Sequence, residues 1–237
     1  MRKVWWGTRP LNFGDVLTEH LFEHFNISFE KVKEKEDADT LCIGSVVRLA
    51  NPGSMVLGSG CIHDNESLDR TVEYRFVRGP KTRDQVIKCG GECPEIYGDA
   101  ALLLPEFVPE WHTKTHKIGI VPHYQDYEQV MQLYGKTDKV IDVVGDPRRV
   151  AEEISSCEKI ISTSLHGIIA AHAYDIPAAR VVRSRLWGSG IKFMDYAQSV
   201  GTSSVISTIE NPIYTLPEPG VIDNIRNNIR PILESLA

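Results

Sequence analysis

Surplus positive charge is the first thing this 237-residue chain lacks: 26 Lys and Arg stand against 32 Asp and Glu, a net charge of -6 at pH 7. Phosphate backbones are held by surplus cations, so the balance argues against a general nucleic-acid binder. Cysteine is sparse and unpatterned. Cys42, Cys61, Cys89, Cys93 and Cys157 make an odd count of five with no C-x-x-C pair, which points to free thiols in a reducing compartment rather than to a disulfide framework. No uninterrupted apolar run approaches the roughly 20 residues of a membrane span. The start, Met1-Arg2-Lys3-Val4-Trp5-Trp6, turns polar by Thr8 and lacks the apolar centre of a signal peptide. No repeat of about 20–50 residues and no low-complexity stretch is visible. What remains is an ordinary soluble composition, long enough for one large domain or two small ones. A cytoplasmic location is expected, with a peripheral position at a membrane left open.

The stretch 159–174, KIISTSLHGIIAAHAY, organises the rest. Ile160 and Ile161 read as a buried strand, Ser162-Thr163-Ser164 as cap chemistry, and the apolar segment 165–174 as a helix. Such a turn aims free N–H groups at whatever lies beyond the strand's carboxyl end, where open α/β sheets bind anions. His166 sits in the first helical turn as a side chain able to exchange a proton near neutral pH. Its alternative reading is a core histidine. His172, six residues on and on another face, reads as structural.

Strand and helix signals alternate along the chain. Strands are expected over 3–6, 40–43, 55–57, 74–77, 118–121, 140–144, 159–162 and 178–182. Helices are expected over 16–25, 81–88, 127–134, 147–155 and 165–174. Residues 105–117 contain two prolines, mixed charge and no period, and read as a linker. Near the end Val221, Ile222, Ile225, Ile229, Ile232, Leu233 and Leu236 form one apolar stripe, a closing helix with Pro231 as an expected kink. The organisation expected is an N-terminal half over 1–105, a linker over 106–117 and a C-terminal half over 118–237. Both halves are Rossmann-like, with a cleft between them.

Three further clusters carry candidate chemistry. In Asn12-Phe13-Gly14-Asp15 the carboxylate either caps a helix or, beside a cleft, holds sugar hydroxyls and accepts a proton from one. Arg78, at a strand end before Gly79-Pro80, is free on this reading to fork onto a carboxylate or phosphate. Arg180, Arg183, Arg185 and Lys192 surround Trp187-Gly188-Ser189-Gly190, either a solvated loop or one that closes on phosphate. His20-Leu21-Phe22-Glu23-His24 matches an H-x-x-E-H pattern. It lies on a short amphipathic helix with no third ligand at a telling spacing, so no metal site is expected.

Taken together, these residues resemble the polysaccharide pyruvyl transferases. The resemblance rests on Asn12-x-Gly14-Asp15, Gly58-Ser59-Gly60, Val77-Arg78-Gly79-Pro80-x-Thr82, Gly98-Asp99-Ala100-x-Leu102-Leu103-Leu104-Pro105, Ser162-x-x-Leu165-His166-Gly167 and Lys192-Phe193-x-Asp195-Tyr196. The set is spread in the family's order over nearly the whole chain. The resemblance implies a GT-B-like α/β fold of two Rossmann-type domains with a cleft and a closing C-terminal helix. It also implies transfer of pyruvate from phosphoenolpyruvate, a co-substrate rather than a cofactor, onto two hydroxyls of a sugar or glycan acceptor, free or lipid-linked, to form a ketal. By position it assigns His166 as acid and Asp15 as its catalytic companion, with Asn12, Arg78, Ser164 and Leu165 contacting substrate. Many members carry Arg where this chain has Ser164. A phosphate or carboxylate contact is then either lost or supplied by Arg183, Arg185 or Lys192. The rival expectations are a nucleotide-sugar glycosyltransferase of the same architecture and a sugar-phosphate binding module without catalysis.

Overall fold

Glycine-punctuated apolar runs become short parallel strands, and the helices between them cover the sheets. The computed structural model describes residues 1–7, 11–111, 113–183 and 188–237. The first half comprises β1 (Arg2–Val4), α1 (Phe13–His24), β2 (Phe29–Lys31), β3 (Thr40–Leu41), β4 (Met55–Leu57), β5 (Glu73–Phe76) and α2 (Pro80–Lys88). A 3-10 helix, Ala100–Glu106, follows. Then come β6 (His116–Val121), α3 (Tyr127–Tyr134), β7 (Lys139–Val140), α4 (Pro147–Ser155), β8 (Cys157–Ser162) and α5 (Leu165–Ala173). The chain closes with β9 (Ala178–Val181), α6 (Ile191–Ser199), β10 (Ile206–Ser207), β11 (Tyr214–Thr215) and α7 (Val221–Glu234).

Two sheets result. The first runs β2-β1-β3-β4-β5, all parallel; the second runs β7-β6-β8-β9-β10, also parallel, with β11 antiparallel on β9. Numbered by order of appearance, both sheets read 2-1-3-4-5. In each the order reverses between the first and third strands, the place where open α/β sheets bind ligands beyond the strands' carboxyl ends. Those ends are the segments after β1 and β3 in one sheet and after β6 and β8 in the other.

Helix α5 is buried on nearly every side, His166 being its least enclosed member, and it packs against the 3-10 helix, β8, α4 and β9. An all-round apolar helix belongs between layers. Leu102, Leu103 and Leu104 of the 3-10 helix are fully enclosed and join Leu17, Phe22, Ile160 and Ile169 in one core spanning both sheets. Each such leucine contributes about 1.5–3 kcal/mol on burial. Helix α7 lays Ile222, Ile225, Ile229 and Leu233 against this core and runs through Pro231 to Glu234. Among the described residues no helix is long and apolar enough to cross a membrane.

Several boundaries differ from expectation for local reasons. Helix α1 begins at Phe13 rather than at 16, because Asn12 caps it by accepting from Asp15 N at 3.4 Å. Strand β7 stops at Val140; beyond it the Asp142 side chain binds Val144 N at 2.9 Å, which draws the backbone out of the ladder. Strands β2, β10 and β11 and helix α6 were not expected. The strands are two or three residues long, and such runs carry too little periodicity to stand out.

Candidate functional site

The serine-rich turn between β8 and α5 is a set of backbone locks. Ser162 Oγ accepts from Ser164 N at 2.9 Å and lies 2.8 Å from the carbonyl of Val121, while Thr163 Oγ1 accepts from His123 N at 2.6 Å. The ends of β6 and β8 are thereby tied together. Ser164 is the N-cap of α5, yet its hydroxyl makes no cap bond and lines the hollow in front of the helix. Gly167 presses on Ser162 and Val121, so the helix start cannot back away from the sheet.

On the opposite wall stands the start of α1. Asn12 donates from Nδ2 to Asp15 Oδ2 and accepts from Asp15 N. Phe13 N donates to Val143 O at 2.7 Å, which ties this turn to the segment after β7. Gly14 lies flat against the His166 imidazole, and a methyl group there would overlap the ring. A close approach of this kind admits only glycine.

These walls enclose a cavity of about 310 Å³, lined by Asn12, Asp15, Ser164, Leu165, His166 and Lys192 together with Ser45, His123, Tyr124 and Gln125. It is the size of a pocket for a small metabolite. Larger surface hollows lie elsewhere: those of about 830 and about 950 Å³ carry no histidine, and one of about 480 Å³ is lined by His24 with Glu106 and Arg230. His166 is the second residue of α5, its side chain 13 % exposed, with Nε2 turned away from the opening and 3.7 Å from Asp99 Oδ2. Burial raises the Asp15 pKa, against the opposing pull of His166, of the Asn12 hydrogen bond and of Lys192. Lys192 stands in the first turn of α6; burial first, then the charges of Arg78 and Arg180, bring its pKa down to about 8. His123 is likewise pushed down, chiefly by burial and then by Lys192. The cavity therefore combines a titrating amine, two imidazoles and a half-buried carboxylate, the groups needed to hold an anion and move protons.

Two expected cations do not reach this cavity. Arg78 is fully buried: Nε donates to Asp195 Oδ2 at 3.2 Å, Nη1 to Ser45 Oγ at 2.7 Å and Nη2 to Cys61 O at 2.6 Å. Its fork is consumed by partners inside the protein, and it bears on the site through Ser45 and through the charge that lowers the Lys192 pKa. Gly60 makes room for the guanidinium. Arg183 is not among the lining residues and acts on the hydrogen-bonded pair Tyr134 and Glu210 instead. Strand β9 has ended at Val181, two residues before Arg183. Arg185 lies outside the described residues, as does Trp187. Of the three cations expected to stand in for the family's arginine, Lys192 is the described one that lines the cavity, and it does so from a helix rather than a loop.

His123, Ser45, Tyr124 and Gln125 are lining residues that sequence reasoning missed. His123 follows the expected strand 118–121 directly, so its place was legible once the reversal of strand order is known. His172 has both ring nitrogens engaged, with Tyr196 OH at 3.0 Å and Thr215 O at 3.1 Å, and burial brings its pKa down to about 4. His20 and His24 pair separately, with Glu23 at 3.7 Å and Glu106 at 3.6 Å, and among the described residues no three His, Cys, Asp or Glu side chains gather. The five cysteines are free thiols, and burial pushes those of Cys42 and Cys61 up.

Comparison with known proteins meets this geometry. The Succinoglycan biosynthesis protein ExoV of Rhizobium meliloti (strain 1021) is 30 % identical over 224 residues, 86 % of this chain and 66 % of ExoV. An uncharacterized protein of Acanthamoeba polyphaga mimivirus is 31 % identical over 173 residues, 67 % of this chain and 59 % of that protein. The aligned part thus spans about three fifths to two thirds of the length of these relatives. Among solved structures, the UDP-GlcNAc 2-epimerase of Methanocaldococcus jannaschii overlays 93 % of this chain and 75 % of its own at 13 % identity and a TM-score of 0.40, too loose a likeness to assign a shared fold. The sequence pattern of the polysaccharide pyruvyl transferases matches residues 63–185, just over half of the chain. With the ExoV similarity running through most of the sequence, this chain belongs to the polysaccharide pyruvyl transferase family.

Proposed function

We propose that the protein transfers pyruvate from phosphoenolpyruvate onto two hydroxyls of a sugar in a glycan or glycan precursor, forming a ketal. The observation that carries this reading is the single cavity at which His166, Asp15 and Lys192 converge. Phosphoenolpyruvate is a small anion bearing a carboxylate and a phosphate. Lys192 and the free N–H groups at the start of α5 supply attraction for both. His166 delivers a proton to the methylene carbon, and positive charge develops at C2. One sugar hydroxyl adds there, its proton passing to Asp15. The C2–O bond to phosphate then breaks, and the second hydroxyl closes the ring, its proton leaving with the phosphate. The carboxylate of Asp15 also stabilises the cationic carbon while it lasts. Phosphoenolpyruvate carries the reactive group itself, so the scheme uses no other cofactor.

The same reading treats the chain as two Rossmann-type halves in a GT-B-like arrangement, 1–105 toward the acceptor and 118–237 toward the donor, joined by 106–117. The matching strand order of the two sheets supports it. In the expected organisation the acceptor reaches the cavity as a sugar of a growing or lipid-linked glycan.

A thermal-shift competition tests the donor. Phosphoenolpyruvate should raise the melting temperature by mass action, by about 2.7 kcal/mol of stability at a hundredfold excess over its dissociation constant. A rise with a nucleotide sugar and none with phosphoenolpyruvate would overturn the reading in favour of glycosyl transfer. Stabilisation without turnover across sugar acceptors would leave a binding module.

A further inference from the structure

We propose that Asp99 is the positioning residue of His166: its buried carboxylate holds the imidazole in the Nε2–H tautomer and balances the ring's charge while Nδ1 delivers a proton into the cavity. Asp99 is fully enclosed and N-caps the 3-10 helix, Oδ1 accepting from Ala101 N at 3.0 Å. Its other oxygen, Oδ2, has no hydrogen-bond partner among the described residues. The same holds for His166 Nε2, and the two atoms face each other at 3.7 Å. Two buried polar atoms, each without another partner, cost stability unless they serve one another. An approach of a few tenths of an ångström makes the bond, and such contacts tighten when a substrate binds.

The geometry leaves the ring little choice. Gly14 covers one face of the imidazole, nearest at Nδ1, and the 3-10 helix that carries Asp99 packs directly on α5. Nε2 is enclosed against Asp99 while the residue lines the cavity, so Nδ1 is the nitrogen presented to a ligand. With Nε2–H donating to Oδ2, Nδ1 carries the mobile proton. Its transfer to the methylene carbon of the donor leaves the neutral Nε2–H tautomer, and Asp99 remains a carboxylate throughout. An aspartate fixing the tautomer of a catalytic histidine is a known division of labour in acyl transfer. The kinetic consequence rests on the reaction proposed above; the tautomer does not.

The test uses Asp99→Asn, which keeps an oxygen for the Ala101 cap but removes the charge and offers Nε2 a donor. Long-range proton–nitrogen correlation of histidine-labelled protein, with His166 assigned from His166→Gln, should show Nε2–H in the wild type and Nδ1–H in Asp99→Asn. Turnover should fall about 10²–10⁴-fold with little change in KM for phosphoenolpyruvate. Adding Asp99→Asn to His166→Gln should cost less than twofold further. A wild-type ring in the Nδ1–H form overturns the proposal, and so does an Asp99→Asn enzyme within twofold of wild-type turnover. If the wild type shows no pyruvyl transfer, the reaction is refuted while the tautomer measurement still decides the role of Asp99.

Discussion

Arg78 and Asp195, 117 positions apart, meet at 3.2 Å with both side chains wholly enclosed. Asp195 also accepts from Thr82 N at 3.0 Å and Thr82 Oγ1 at 2.7 Å, so the start of α2 and the helix bearing Lys192 are fastened to one carboxylate. A buried pair of this kind adds little net stability over an apolar substitute, yet losing one partner strands the other charge. Asp195→Ala should therefore lower unfolding stability by about 3–5 kcal/mol in urea titration. A loss under 1 kcal/mol would show that Arg78 finds other compensation.

His166→Ala should abolish ketal formation while still folding cooperatively, with a melting temperature several degrees lower because the buried Asp99 Oδ2 loses the group it faces. The ring, 13 % exposed, is a wall of the cavity rather than a member of the apolar core. Near-normal product formation by this variant, followed by mass spectrometry of the acceptor, would remove His166 from the mechanism.

Lys192 gives the site a pH dependence whose sign follows from its environment. Its pKa is lowered by burial, then by Arg78 and Arg180, to about 8, so the amine loses its charge as pH rises through that value. An anion favours the charged form, and phosphoenolpyruvate affinity should fall above pH 8 and be flatter in Lys192→Arg. Between about 8 and 10.5 the unfolded chain holds this proton and the native one does not, so the group's contribution to stability rises with pH across that window. Calorimetric titration at pH 7 and pH 9 checks the affinity. Equal values at both would place the binding charge elsewhere.

Gly14→Ala should be a functional lesion more than a folding one. The added methyl improves helix propensity by up to about 1 kcal/mol but drives into the His166 ring. A displacement of about 1 Å at reacting groups costs on the order of 10² in rate. The expected outcome is a turnover drop of that size with stability changed by less than about 3 kcal/mol. Unchanged kinetics would mean that the ring has room to move without consequence.

Much of the frame was legible along the chain. The run from β8 into α5 was placed within two residues because its apolar pair, its serines and its helical segment are all local signals. Helix α4 matches the expected 147–155 with Pro147 opening it, and the structure adds Asp146 as its cap. The Leu-rich run 100–104 reads from sequence as an end of the first half, but its form as a 3-10 helix, opened by the Asp99 cap and braced by α5 and α7, depends on neighbours far away in sequence. Arg78 shows the limit most plainly. Its sequence context, a strand end before Gly79-Pro80, is that of a substrate-binding arginine, and nothing nearby reveals that Asp195 waits to consume it.

The amino-acid order by itself determined most of the strands and helices, though not β2, β10, β11 or α6, together with the turns that present N–H groups and the family the motifs resemble. Those properties arise from propensity, capping and apolar period over a dozen residues at most. Only the folded chain decided the order of strands, and with it that His123 and Lys192 join Asp15 and His166 while Arg78 and Arg183 do not. Side-chain direction and burial are set by partners on other elements, and the free energy of holding a charge depends on those partners rather than on its neighbours in the chain.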